Sequence, residues 1–272
     1  MPKMEQRETP ENYRHFPGGK ELPATLPAWR VQTLKPQTNS GVVAHAYGFE
    51  DSPDAEIITP GMNFGKEPGA VGIGRHGNFL QWGFAGSPDE MTEPARNLFL
   101  NCICYIKKYD RMGPLVTWKS SPRMNALRVA GLIDTNFQNG NAWVLNSFQP
   151  GLAARYKGRA EQFVALFKKD LELVYHEEGK YLVDEDLKAM GIPSNRRIET
   201  LDKLIGLLER PETAAAARKV LDRYTEQSGL SPVALRKWVN DNRERIYFSD
   251  LGGYKFRVMP EGYLPRPGWK SE

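Results

Sequence analysis

Residues 71–109, VGIGRHGNFLQWGFAGSPDEMTEPARNLFLNCICYIKKY, join strand, turn and helix signals in one uninterrupted run, and no other stretch limits the architecture so tightly. Val71, Ile73, Phe79, Leu80, Trp82 and Phe84 form two short apolar runs around Arg75-His76-Gly77-Asn78. Glycine and asparagine there supply the positive φ that a tight hairpin needs. Ser87-Pro88 and then Thr92-Glu93-Pro94 read as helix N-caps with proline in the first turn. Ala95, Leu98, Phe99, Cys102, Ile103 and Ile106 recur three and four residues apart, which predicts a helix with one apolar face. The hairpin and this helix share that apolar surface, with Trp82 set against Phe99.

The flanking segments follow from proline spacing and periodicity. Residues 1–27 contain Pro2, Pro10, Pro17, Pro23 and Pro27, too close together for a helix to propagate, and read as an irregular arm. Trp29 and Val31 anchor that arm or add an edge strand. Residues 41–49 and 55–59 read as strands and 115–118 as a returning strand, so 28–118 holds a small mixed sheet. A connecting region, 119–157, opens a helix at Ser121-Pro122, lined by Met124, Leu127, Ala130 and Ile133, and has a turn at 136–141. From 158 to 272 the pattern is helical. A stripe runs from Phe163 through Phe167 and Leu171 to Val174 and Tyr175, and Asp184 caps a short helix that Gly191 ends. Further helices carry Leu201 and Leu204, Val220 and Leu221, and Leu235 and Val239. A hairpin closes the chain around Leu251-Gly252-Gly253. The expected class is α+β, a small mixed sheet with a packed helix followed by a mostly helical half; the alternative is a single α/β domain.

Charge and composition narrow the partners. The 37 basic and 33 acidic residues are interspersed along the chain, unlike a nucleic-acid stripe or a membrane-binding face. No apolar run approaches the roughly 20 residues that span a bilayer, and the first residues lack the apolar stretch of a signal peptide. As written the chain is expected in the cytoplasm, and exported if Met1 is not the natural start. The only cysteines, Cys102 and Cys104, sit two apart on one helix, where their side chains diverge by about 200° and do not bridge. Neither has the neighbours of a metal site.

Several patterns carry chemistry on paper. Gly72-Ile73-Gly74-Arg75-His76-Gly77 matches a dinucleotide fingerprint, but a strand follows where a helix N-terminus must receive the pyrophosphate. No cofactor is expected. His15, His45, His76 and His176 are scattered, and His176 with Glu177 and Glu178 reads as a solvated helix end. Asp51-Ser52-Pro53-Asp54-Ala55-Glu56 gathers three carboxylates in a loop, fit for a cation, a sugar hydroxyl network or a self-capping turn. The candidate binding residues are His45, Asp51, Asp54, Arg75 and His76. An enzyme would need them to converge in one concave pocket. There is no nucleophile elbow and no triad.

The runs Asp51 through Glu56, Gly74 through Asn78, Trp82-Gly83-Phe84, Ser87-Pro88-Asp89 and Asn101 through Tyr105 resemble the closing segment of ThuA-like and class I glutamine-amidotransferase-like domains. They are most similar to a set of planctomycete-type bacterial proteins, most of them exported. Weaker likeness to the same set runs through Val183 to Asp186, Gly191-Ile192-Pro193, Arg223-Tyr224-Thr225, Arg236-Lys237-Trp238 and Gly252-Gly253-Tyr254. The half of such a domain that bears its nucleophile has no counterpart here, and Phe84 stands where ThuA-like domains tend to carry a glycine-histidine pair. The resemblance therefore implies a non-catalytic accessory or binding protein linked to carbohydrate, with a saccharide or a protein as partner. The alternatives are a saccharide-acting hydrolase that uses Asp51 and Asp54, and a structural partner that completes another chain's domain.

Overall fold

A computed structural model describes residues 2–33, 42–63, 65–135 and 142–271. The chain divides into two compact units, Met1–Glu50 with Asp54–Leu115, and Asp51–Pro53 with Val116–Glu272. The architecture is α+β.

In the first unit, β1 (Met4–Glu8) and β2 (Thr25–Trp29) pair antiparallel from Met4↔Trp29 to Glu8↔Thr25, where proline spacing predicts an irregular arm. Pro27 stands opposite Gln6. In a sheet of two strands every strand is an edge, so a residue without an N–H is tolerated there. A second sheet has the order β3 (Ala55–Pro60), β4 (Val71–His76), β5 (Phe79–Trp82), antiparallel throughout. The β4–β5 hairpin turns on Gly77 and Asn78, with His76 opposite Phe79 and Gly77 at φ +59°. An alanine Cβ at Gly77 would also lie 2.6 Å from the Pro114 nitrogen and 2.7 Å from the Met112 carbonyl oxygen.

Residues 42–49 do not form the strand that their alternation predicts, and residue 41 lies outside the described residues. Ala44 makes a single antiparallel bridge to Val71, and Gly48 turns the chain at φ +73°. Residues 115–118 make no strand either, and Trp118 is left 79% exposed. Helix α1 (Glu93–Ile106) has proline in its first turn and buries Ala95 and Cys102. Phe99 meets Trp82 edge-on, with ring centroids 5.0 Å apart at 74°. Ile103, expected on the apolar stripe, faces outward.

The second unit holds α2 (Met124–Gly131), α3 (Ala142–Asn146), α4 (Leu152–Arg155) and α5 (Ala160–Lys169). Then come β6 (Val174–Glu177), β7 (Lys180–Val183), α6 (Glu185–Ala189), α7 (Ile198–Leu208), α8 (Pro211–Tyr224), α9 (Pro232–Asn242), β8 (Ile246–Ser249) and β9 (Lys255–Val258). The helix at Ser121-Pro122 begins only at Met124, and the turn expected at 136–141 lies outside the described residues. The stripe that starts at Phe163 does not stay helical to Tyr175. The helix stops at Lys169, and Val174 and Tyr175 enter β6. Glu178 and Gly179, at φ +48° and +79°, close a two-residue hairpin of the type that matches strand twist. His176 is therefore a strand residue, opposite Tyr181.

Two cores organise this unit. In one, Leu201, Leu204 and Ile205 of α7 meet Val220, Leu221 and Tyr224 of α8, with Leu235, Val239 and Phe256 closing the cluster. In the other, Phe148, Phe163 and Phe167 gather against Ala130, Ile133 and Tyr181. Burying each such large side chain contributes about 1.5–3 kcal/mol. Asp184 ties α6 to α8: Oδ1 accepts from the Leu187 N–H at 2.9 Å, and Oδ2 from Arg223 Nη1 at 2.5 Å and the Tyr224 hydroxyl at 2.6 Å. Among the described residues no helix is long and apolar enough to cross a membrane.

Candidate functional site

Strand alternation sorts the first-unit candidates. Arg75 and His76 are adjacent on β4 and so project to opposite faces of the sheet. Arg75 lies directly across from Glu56 and donates from Nε to Glu56 Oε2 at 3.2 Å. The Tyr105 hydroxyl donates to the same oxygen at 2.7 Å and meets the Tyr109 hydroxyl at 2.9 Å. The Arg75 guanidinium lies 3.7 Å from the centroid of the Tyr109 ring and also donates to the Gly77 carbonyl. Arg75 is fully buried in this network. Burial, then Tyr109 and Glu56, push the Tyr105 phenol well above its usual range, so it keeps its proton.

On the other face His76 Nε2 lies 3.3 Å from Asp54 Oδ2, with the imidazole 39% exposed and the carboxylate buried. The same Asp54 oxygen accepts from the Leu115 N–H at 2.6 Å, and the Asp54 carbonyl accepts from the Gly77 N–H at 2.9 Å. Asp54 thus clasps three chain segments, which is the work of a structural carboxylate. His45 Nδ1 stands 2.6 Å from Glu67 Oε2, and Glu67 Oε1 accepts from the Ala46 N–H at 2.5 Å. Burial alone would raise the Glu67 carboxyl, but the hydrogen bonds from His45 and Ala46 outweigh it and hold the group below its ordinary range.

Asp51 belongs to the second unit and to a different environment. Its side chain is 23% exposed, and Arg196 Nη1 approaches it only to 3.8 Å. Burial first, and then the charge of Asp250, push its carboxyl up to about 6 against the pull of Arg123 and Arg196. Its neighbours are already paired. Arg123 binds Asp250 through Nη2 at 2.6 Å and Nε at 2.9 Å, and its own N–H reaches Asp250 at 2.9 Å. Glu172 accepts from Arg196 Nη2 at 2.8 Å and from the Ser194 hydroxyl at 2.8 Å. Burial raises the Glu172 carboxyl, yet these partners bring it below its usual range. Asp51 is the carboxyl in this group that burial and the Asp250 charge raise, so it ionises only as pH passes about 6.

Within the first unit the candidates are held in separate pairs, Asp54 with His76, Arg75 with Glu56, and His45 with Glu67. Two hollows of the second unit are lined by other residues. One of about 490 Å³ is bounded by Leu145, Phe148, Ala153 and Lys180, and one of about 460 Å³ by Ile198, Arg243 and Trp269. His176 has its Nδ1 2.9 Å from the hydroxyl of Ser120, and burial lowers its basicity. Ser120 is itself buried and also within 3.1 Å of the carbonyl of His176, which is half-buried. Among the described residues no three of His, Cys, Asp and Glu are grouped to hold a metal ion.

Sequence reasoning noted Glu56 only as one of the loop carboxylates, and it missed Glu67, Arg123, Glu172 and Asp250. Glu56 was findable as the residue across from Arg75 once β3 and β4 are paired, but the others have no local signal. No family model, curated protein or solved structure matches the chain.

Proposed function

We propose that this chain is a non-catalytic binding or accessory protein, with a saccharide as the ligand class that its ThuA-like sequence runs suggest. The observation that carries this reading is the internal pairing of His45, Asp54, Arg75 and His76, each held by a partner in its own unit. A catalytic acid or base must instead reach a substrate proton, within about 3 Å or through one water. Trp118, 79% exposed, offers an aromatic face of the kind that sugar rings stack on. Thermal-shift and calorimetric titration against neutral sugars and sugar acids tests the proposal. Binding that Trp118→Ala abolishes, without turnover of chromogenic glycosides, supports it; turnover sinks it.

A second reading, a saccharide-acting enzyme, has one observation in its favour. Asp51 holds a proton up to about pH 6, as a general acid does. Glycoside turnover that is lost in Asp51→Asn and falls as pH rises through about 6 would favour this reading over the first.

A further inference from the structure

Helix α1 is 14 residues long and packs through one side only. Ala95 and Cys102 point inward. Directly opposite lies Leu100, 59% exposed, flanked by Ile103 at 48% and by exposed Cys104. Three adjacent apolar side chains facing water on a regular helix mark a contact surface that is unfilled among the described residues. Seven-residue steps run along one line of a helix, so Glu93, Leu100 and Lys107 form the axis of this face, and all three are exposed.

That line is charge-complementary to its own reverse. In an antiparallel pair with its twofold axis through Leu100, each residue faces the one equally far on the other side of position 100. Leu100 then meets Leu100 of the copy. Ile103 and Cys104 meet Asn97 and Arg96, and Glu93 faces Lys107 at both ends. An axis between residues 101 and 102 puts Arg96 against Lys107, and one through Cys102 puts Arg96 against Lys108. Lys107 is now paired with Asp110, but both are exposed, and such a pair contributes too little to hold the lysine back.

We propose that this chain self-associates through α1, as a twofold antiparallel helix pair centred on Leu100. Side by side, two helices about 21 Å long bury less than the roughly 1,200 Å² at which standard interfaces begin, so the dimer is a weak and exchanging one. Its dissociation constant falls on the order of 10–100 µM.

Sedimentation equilibrium of the full chain over about 5–500 µM brackets that affinity. The expected result is a concentration-dependent passage from monomer to dimer. Glu93→Lys and Lys107→Glu each place two like-charge pairs in the seam and weaken the dimer about tenfold or more, while the double reversal restores it. Circular dichroism melts of all three variants establish that α1 still folds. In a Cys104→Ser background, Leu100→Cys places two thiols at the axis, and mild oxidation should link the chains. With Leu100 intact, Cys104 stays unlinked to its copy, because eight residues separate the two by about 12 Å along the helices. A chain that remains monomeric throughout overturns the proposal. So does a dimer indifferent to single reversal, a double reversal weaker than either single one, or the absence of the Leu100→Cys crosslink.

Discussion

Asp51→Asn isolates the electrostatic condition of the second unit. The Asp51 carboxyl moves from 3.8 to about 6 on folding, a difference of about 2 units. At 1.36 kcal/mol per unit, folding disfavours the ionised form by about 3 kcal/mol. The folded protein binds more protons than the unfolded chain between about pH 4 and 6, so this group's contribution to stability falls as pH rises through that window. Below it the aspartate is protonated in both states and carries no penalty; above it the penalty is complete. Asparagine never ionises. The stability of Asp51→Asn relative to the parent should therefore climb by about 2–3 kcal/mol between pH 4 and pH 7, with Asn the more stable at the upper end. Glu67, Glu172 and Asp186, whose carboxyls are lowered, slope the other way, but they are present in both proteins and largely cancel in the difference. Urea melts of both proteins at pH 4, 5, 6 and 7 measure it, with a Tm gap of about 2–4 °C per kcal/mol as an independent check. A difference that is flat with pH, or an asparagine variant less stable at pH 7, would show that Asp51 is well served as a carboxylate and refute the reasoning.

Gly77→Ala combines a positive φ with contacts under 3 Å to the backbone of residues 112–114, and should cost about 2–4 kcal/mol in a chemical melt. His76→Ala, which loses only a half-exposed partner of Asp54, should cost about 0.5–1 kcal/mol in the same experiment; a reversed order would place His76 in a site. Phe99→Ala should cost about 1–3 kcal/mol, below a fully buried aromatic, because the ring is half-exposed beside Trp82; a loss under about 0.5 kcal/mol would mean that the contact is not formed. Asp184→Ala removes a helix cap, leaves the buried Tyr224 hydroxyl without its acceptor and takes one of two carboxylates from Arg223, which keeps Asp186, an expected loss of about 2–4 kcal/mol; a loss near 1 would mean that the cap alone matters.

Local signals were the legible ones. The hairpin at Gly77-Asn78, the proline-started α1 and the Asp184 cap each rest on residues within a few positions of one another, and periodicity or turn chemistry finds them. Of the β1–β2 pair only an edge strand at Trp29 was legible as one option, because β1 is short and polar, β2 carries Pro27, and the two lie about 20 residues apart. Residues 41–49 alternate like a strand, but among the described residues, 42–49, only Ala44 finds a backbone partner on β4. Val174 and Tyr175 satisfy helical spacing from Phe167 and strand preference alike, and the Glu178-Gly179 turn decides for strand. The candidate site was less legible still. His45 and Arg75 could be named, but the carboxylates that occupy them come from other segments, and it is occupancy that decides between catalysis and structure.

The bond between Arg123 and Asp250 joins positions 127 apart in the chain. On a ribosome adding about 5–20 residues per second, the guanidinium waits roughly 6–25 s for its carboxylate to be made. Until then Arg123 cannot be buried without leaving a charge unpaired in an apolar setting, and the aromatic shell of Phe248 and Tyr254 that borders it is also still to come. The surroundings of Arg123 are therefore completed only once residues 248–254 are made. A chain that ends before residue 248 lacks both the carboxylate and the aromatic rings that border Arg123, and leaves that guanidinium without its charge partner.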